Sequence, residues 1–310
     1  MHYDVLLFGD YWYDLIFTDL PRLPELGREV LAGGFDQAPG GPFIHAVAMH
    51  RLGLRVGWAA DFGNDPFSLS VIKAARREGL DETLFQCHDC PYRRITAAAS
   101  FPTDRAFLSY SDPGPIVPAP LKALAQHTAR VAMIPGLFSG PLFDTGQALA
   151  RARRMKIVMD CQCTDETLDN PAVRRALKNV EVFLPNSSEA RQLTGAPNTL
   201  EALRCLGEVC SLVAIKDGPD GAHAICRRSP SGDGYETFYA PAIPVKVVDT
   251  TGAGDAFGAG FLKAWLDGKP ITECLRWGNI CGGLSTTARG GASATPTLTE
   301  VEQWLAKDKG

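Results

Sequence analysis

The feature that most constrains this chain is a regular alternation of short apolar runs with segments of helical period. YDVLLFG (3–9), RVGWAA (55–60), VAMIP (131–135), KIVMD (156–160), VEVFL (180–184) and LVAIK (212–216) read as strands. They are apolar nearly throughout instead of alternating, which suits a parallel sheet buried on both faces. Between them, 44–52, 66–78, 143–154, 171–177 and 199–207 carry apolar residues at helical spacing. This βαβ rhythm predicts an α/β fold, a doubly wound, mostly parallel sheet with helices on both faces. No internal repeat or low-complexity linker interrupts it, so residues 1–310 are expected to form one domain.

Two stretches depart from the rhythm. Residues 11–36 and 92–112 look like strands punctuated by turns, and each lies beside a Gly- or Pro-rich join. They read either as a small β-sheet covering a cleft or as two surface hairpins without a function.

Composition narrows the function classes. A formal net charge of -4 argues against a general nucleic-acid or membrane-surface binder. No apolar run approaches the ~20 residues of a membrane span. The start, MHYDVLLFGD, lacks a basic region and a small-residue cleavage site and reads as a first strand, not a signal peptide. Nine cysteines are scattered; Cys87 and Cys90 form a CxxC around His88, and Cys161 and Cys163 lie two apart, but no second ligand pair completes a zinc site. Reduced thiols in a cytoplasmic protein are the expectation.

The chemistry concentrates in DTTGAGDAFGAGFL, Asp249 to Leu262. It is not a P-loop, because the Gly268-Lys269 pair is followed by Pro270; nor is it GxGxxG, because Gly258 falls one residue late. What remains is a glycine-rich turn opening a helix, with Phe257, Phe261, Leu262, Trp265 and Leu266 at helical spacing. Unpaired backbone N–H groups and the positive end of the helix dipole make such a turn an anion site. Asp255 in that place reads either as an N-cap or as a base that takes the proton of an attacking hydroxyl beside a bound phosphate. Gly258 and Gly260 each cost roughly 1 kcal/mol in a helix interior, which points to close packing there.

This motif resembles the signature of the ribokinase-like (PfkB) carbohydrate kinases. The resemblance extends through Gly9 and Asp14, LPELGREV (23–30), PGG (39–41), RLGLRVGWAADFGNDPF (51–67), Asn186-Ser187-Ser188-Glu189 and Gly218-Pro219-Asp220-Gly221, from about Tyr3 to Thr295. It implies that Asp255 is the general base and that Gly252, Ala253 and Gly254 form the anion hole. It implies that Asn186 and Glu189 lie near ATP and Mg²⁺, Glu189 through water; the same pair also reads as a helix cap with its acid three residues on. Gly218 and Gly221 resemble a nucleotide loop, preceded by Lys216, which reads as a phosphate contact or as an exposed structural lysine. Asn279 lies in a segment that resembles the wall beside the adenine. Asp249 and Thr251, with a loop around 286–291, resemble a monovalent-cation seat for K⁺. Asp14, Gly40 and Gly41 match sugar-binding positions, and 11–36 with 92–112 match the family's β lid, through which a homodimer is also conceivable.

One position departs from the family. Its GGxxxN pattern reads here Gly40-Gly41-Pro42-Phe43-Ile44-His45, so His45 stands where an asparagine meets the sugar, and ordinary ribose specificity is not expected. Arg93, Arg94 and Arg105 read either as a clamp for an anionic acceptor or as solvated lid residues, and Phe35, Phe101, Phe107 and Tyr110 as stacking or packing aromatics. The resemblance implies transfer of the γ-phosphoryl of Mg-ATP to a hydroxyl of a carbohydrate or nucleoside-like small molecule. The rival is a sugar- or nucleotide-sensing protein that has kept the fold without the chemistry.

Overall fold

The structure, a computed structural model, describes residues 2–101, 105–162, 164–227 and 234–307. Its strands are β1 (His2–Phe8), β2 (Trp12–Thr18), β3 (Gly34–Gly40), β4 (Val56–Phe62), β5 (Phe85–Cys87), β6 (Arg94–Ser100) and β7 (Arg105–Ser111). They continue with β8 (Thr128–Ile134), β9 (Lys156–Asp160), β10 (Val182–Leu184), β11 (Leu212–Lys216), β12 (Ala222–Arg227) and β13 (Tyr235–Ala240). The helices are α1 (Pro42–Arg51), α2 (Pro66–Glu78), α3 (Ala119–Gln126), α4 (Pro141–Ala152) and α5 (Pro171–Leu177). After them come α6 (Ser187–Thr194), α7 (Thr199–Gly207), α8 (Ala253–Leu266), α9 (Ile271–Ser285) and α10 (Leu298–Lys307).

The main sheet has the order β13-β12-β11-β10-β9-β8-β1-β4-β5. Every pairing from β5 across to β11 is parallel. Only the two pairings of β12, with β11 and with β13, are antiparallel. Those two were not legible as strands, since they alternate polar and apolar residues at the sheet's edge and lack the continuous apolar signal of the centre. One face of the sheet packs on α1, α2, α8 and α9, the other on α3 to α7, giving two separate buried cores. The expected doubly wound architecture is what forms.

Its six expected strands all appear, two of them, β9 and β11, with the expected bounds. Helices α2, α5 and α7 also match to the residue. The termini of α2 show why: Asp65 accepts from the Phe67 and Ser68 amides, Pro66 opens the helix, and Gly79 closes it in the left-handed region.

The two irregular stretches form a separate four-stranded sheet of order β3-β2-β6-β7. Its second strand lies further along than expected, at 34–40 instead of before 36. Pro21 and Pro24 deprive the intervening segment of amide donors. Pro39 is tolerated in β3 because that strand is an edge. Cys163 lies outside the described residues; among the described cysteines all are free thiols, Cys87 and Cys90 exposed.

Candidate active site

The carboxyl ends of β1, β9 and β11 and the amino ends of α1, α6 and α8 meet on one side of the main sheet. That is the edge at which ligands bind in open α/β sheets. The chain leaves β1, makes the β2–β3 excursion, and returns as α1; β9 ends in Asp160 and β11 in Lys216. Lys216 is joined to the turn before α6 by its amide, which donates to the Pro185 carbonyl at 3.0 Å.

Asp255 sits in the first turn of α8. Gly252 caps that helix at φ 75, a left-handed conformation that a side chain would strain, and a Cβ there would lie 2.9 Å from the Gly291 carbonyl. Facing Asp255 is His45 of α1, Nδ1 to Oδ1 at 3.6 Å. The other ring edge of His45 meets Asp160, Nε2 to Oδ2 at 3.4 Å, and Lys216 Nζ donates to Asp160 Oδ1 at 2.6 Å. His45 and Asp160 are buried, whereas the Asp255 side chain keeps 28% of its surface exposed. Burial raises the Asp255 carboxyl above its usual range, opposed by His45 and reinforced by Asp160. Burial pushes Asp160 the same way, but the Lys216 ammonium and the His45 ring outweigh it and hold that carboxyl low. Burial would lower Lys216 and His45; their carboxylate neighbours reverse this and raise both.

At 2% exposure, the His45 ring is buried with a carboxylate facing each edge. Of the two readings of Lys216, the exposed structural lysine is not what forms: the side chain is largely buried and pairs with Asp160 beside the Gly254 turn.

On the flank towards β10, Asn186 and Glu189 form a reciprocal cap. The Glu189 amide donates to Asn186 Oδ1 at 2.9 Å and the Asn186 amide to Glu189 Oε2 at 2.8 Å. Burial pushes the Glu189 carboxyl up to about 7, against the pull of Lys216. Gly218 and Gly221 stand at φ 57 and 85 around a single turn, and a Cβ on Gly221 would fall 2.3 Å from the Ala240 carbonyl. Asn279 is buried, and its amide donates to the Ala240 and Pro241 carbonyls at 2.9 Å each, tying α9 to the end of β13. Within the α8 turn, the Ala253 amide is bonded to the Thr250 carbonyl at 3.2 Å.

On the opposite flank, a cleft of about 690 Å³ lies between the small sheet and residues 247–251. Asp14, Phe35, Phe101, Arg105 and Phe107 line it. A Cβ on Gly40 would sit 2.3 Å from Asp14 Oδ2, so the glycine lets this carboxylate lie against the backbone. Gly41, at φ 60, is packed on Trp12. Burial and the nearby Asp255 charge push Asp14 up to about 6. Arg105 reaches across the cleft, donating to Thr251 Oγ1 at 2.8 Å and Thr250 Oγ1 at 3.4 Å. Arg93 and Arg94 belong elsewhere: Arg93 is paired with Asp112 at 2.9 Å and Arg94 with Asp10 at 3.2 Å. Tyr110 likewise donates to Asp112.

Asp249 accepts from the Thr251 amide and hydroxyl and from the Gly290 amide, which brings 249–251 against the loop at 286–291. A separate apolar hollow of about 350 Å³ beside Trp12 and Pro42 offers no comparable chemistry. Its one acid, Asp10, is bonded by Tyr92 and Arg94.

Sequence reasoning passed over Asp160. The available signal was an acid closing an otherwise apolar parallel strand, at the end of the sheet where ligands bind.

The site thus brings a glycine-rich helix start with a carboxylate in its first turn towards a second carboxylate, Asp14, in the cleft under the small sheet. The pfkB carbohydrate kinase family model matches residues 3–298, and the chain belongs to that family. It is 26% identical over 319 residues to a ribokinase of Bacillus subtilis strain 168, covering 98% of this chain and 99% of that protein. A 2-dehydro-3-deoxygluconokinase of the same organism is 28% identical over 291 residues, covering 85% of each. Among solved structures, Arabidopsis thaliana ribokinase complexed with ribose and ATP superposes with a TM-score of 0.80 at 20% identity, covering 98% of this chain and 99% of that one. The protein is an ATP-dependent carbohydrate kinase on a ribokinase-like fold. No helix among the described residues is long and apolar enough to cross a membrane.

Proposed function

We propose that the protein transfers the γ-phosphoryl of Mg-ATP to a hydroxyl of a sugar or nucleoside-like acceptor held in the cleft beneath the small sheet, with Asp255 as general base. The observation that carries this reading is the position of Asp255, in the first turn of α8 and electrostatically coupled to Asp14 in the acceptor cleft. The acceptor hydroxyl gives its proton to the Asp255 carboxylate as its oxygen attacks the γ-phosphorus, and ADP leaves in line. Asp14 accepts hydrogen bonds from acceptor hydroxyls, and the backbone of Gly40 and Gly41 lies against the acceptor ring. The amides at the start of α8 (Gly252, Ala253, Gly254) face the negative charge on the transferring group, with the Ala253 amide partly engaged by Thr250.

Glu189, a carboxylate withdrawn from water next to the nucleotide flank, fits a hard divalent cation, and Asn186 with Glu189 would hold Mg²⁺ largely through its waters. When bound with ATP, Mg²⁺ neutralises phosphate charge. The turn at Gly218–Gly221 admits the nucleotide close to the backbone, and Asn279 shapes that wall by fixing 240–241. The seat for K⁺ belongs to the same reading: the Asp249 side chain is taken up by protein donors, so the carbonyls of Asp249 and Thr251 and of the facing loop would be the ligands. The small sheet is the lid, and its closure excludes water that would otherwise hydrolyse ATP.

The test is ADP release and product formation with Mg-ATP across pentoses, hexoses, keto-acid sugars and nucleosides. Phosphorylation of at least one acceptor, well above ATP hydrolysis alone, is the expected outcome. No transfer to any of them would remove the catalytic reading.

A further inference from the structure

We infer that His45 is a positioning residue which, held as an imidazolium between Asp160 and Asp255, keeps the proposed base ionised and fixed towards the acceptor. The inference rests on the kinase reading and deepens it. His45 Nε2 faces Asp160 Oδ2 at 3.4 Å, while the other Asp160 oxygen receives Lys216 Nζ at 2.6 Å. A carboxylate only accepts, so Nε2 carries a proton. The opposite nitrogen, Nδ1, is buried without a hydrogen-bond partner and points at Asp255 Oδ1 3.6 Å away. A bare lone pair on Nδ1 would face a second carboxylate, which is repulsive; a proton there makes the contact attractive. With both ring nitrogens protonated, two carboxylates and two cations alternate in one chain: Lys216, Asp160, His45, Asp255.

The charge count explains why histidine occupies the place of an amide. Burial alone pushes Asp255 towards its protonated form, in which it is useless as a base. An asparagine at position 45 could donate a hydrogen bond but would supply no charge. The imidazolium supplies it from within the protein, anchored from behind by Asp160, whose own charge is balanced by Lys216. Asp14 on β2 and Glu189 on α6 are the other acids coupled to this centre, each raised in part by the Asp255 charge, and the Lys216 ammonium joins His45 in favouring the Asp255 carboxylate.

Two measurements decide the matter. The first is the pH profile of kcat/KM for the wild type, His45→Asn and His45→Gln, using the best acceptor. Loss of the cation raises the Asp255 pKa, so the acidic limb is expected to move up by about 1 pH unit or more in both variants. The second is a ¹⁵N NMR titration of the His45 ring in the wild type and in Asp160→Asn. The ring is expected to be doubly protonated at pH 7 in the wild type and to lose its proton at lower pH in Asp160→Asn. An unmoved acidic limb in folded variants, or a neutral His45 at pH 7 in the wild type, would overturn the inference. Should the wild type phosphorylate no acceptor, the kinase reading fails, and the NMR titration still settles the state of His45. It settles it equally if the variants do not fold.

Discussion

Asp14 and Glu189 show what the site costs at the level of single residues. Their carboxyls are raised to about 6 and about 7, so between about pH 4.5 and 7 the folded chain retains protons that the unfolded chain has released. Stability then falls as pH rises through that window, the reverse of a carboxylate depressed by an ion pair. Raising a carboxyl pKa by one corresponds to about 1.4 kcal/mol before solvent screening reduces it. Asp14→Asn/Glu189→Gln, unable to titrate, is therefore expected to gain about 1–2 kcal/mol over the wild type between pH 4.5 and 7. Denaturant unfolding of both proteins without nucleotide or acceptor checks this; a wild type that gains on the variant with rising pH would contradict it. Both acids were legible in the sequence from the motifs around them. The contacts of His45 and Lys216 were not, because both depend on Asp160, which no local pattern places beside them.

At the scale of elements, α8 carries the site because it is wedged against α9 with almost no clearance. A Cβ on Gly260 would lie 2.6 Å from both Cys281 Sγ and the Trp277 carbonyl, and one on Gly278 would lie 2.7 Å from the Phe257 ring. In α4 the equivalent atom on Gly146 would meet nothing nearer than Leu124 Cδ1 at 3.6 Å. The same substitution should thus have opposite signs. Gly260→Ala is expected to destabilise by about 1–3 kcal/mol through overpacking, despite alanine's better helix propensity. Gly146→Ala should stabilise by about 0.5–1 kcal/mol. Thermal unfolding of the two variants measures both, and a neutral Gly260→Ala would show that the α8–α9 contact yields easily. The sequence signalled this packing through glycines inside an apolar helical run, but not which neighbour required them.

Across the whole molecule, the site exists only because distant parts of the chain share one edge of the main sheet. Asp14 comes from the small sheet, His45 from α1, Asp160 and Lys216 from the ends of β9 and β11, and Asp255 from α8. The buried central strands were readable because their apolar runs are continuous. The antiparallel edge was not, since β12 and β13 lack a continuous apolar run, nor was the register of the small sheet, where β2 pairs with β6 from a distant part of the chain and Pro39 sits at an edge. That assembly makes one claim above the others: Asp255 takes the acceptor's proton during phosphoryl transfer. The direct measurement is the rapid-quench rate of transfer from Mg-ATP to the best acceptor in Asp255→Asn, with ATP affinity followed alongside. The rate is expected to fall by on the order of 10²–10⁴ with ATP affinity little changed. Transfer at the wild-type rate in that variant would contradict it.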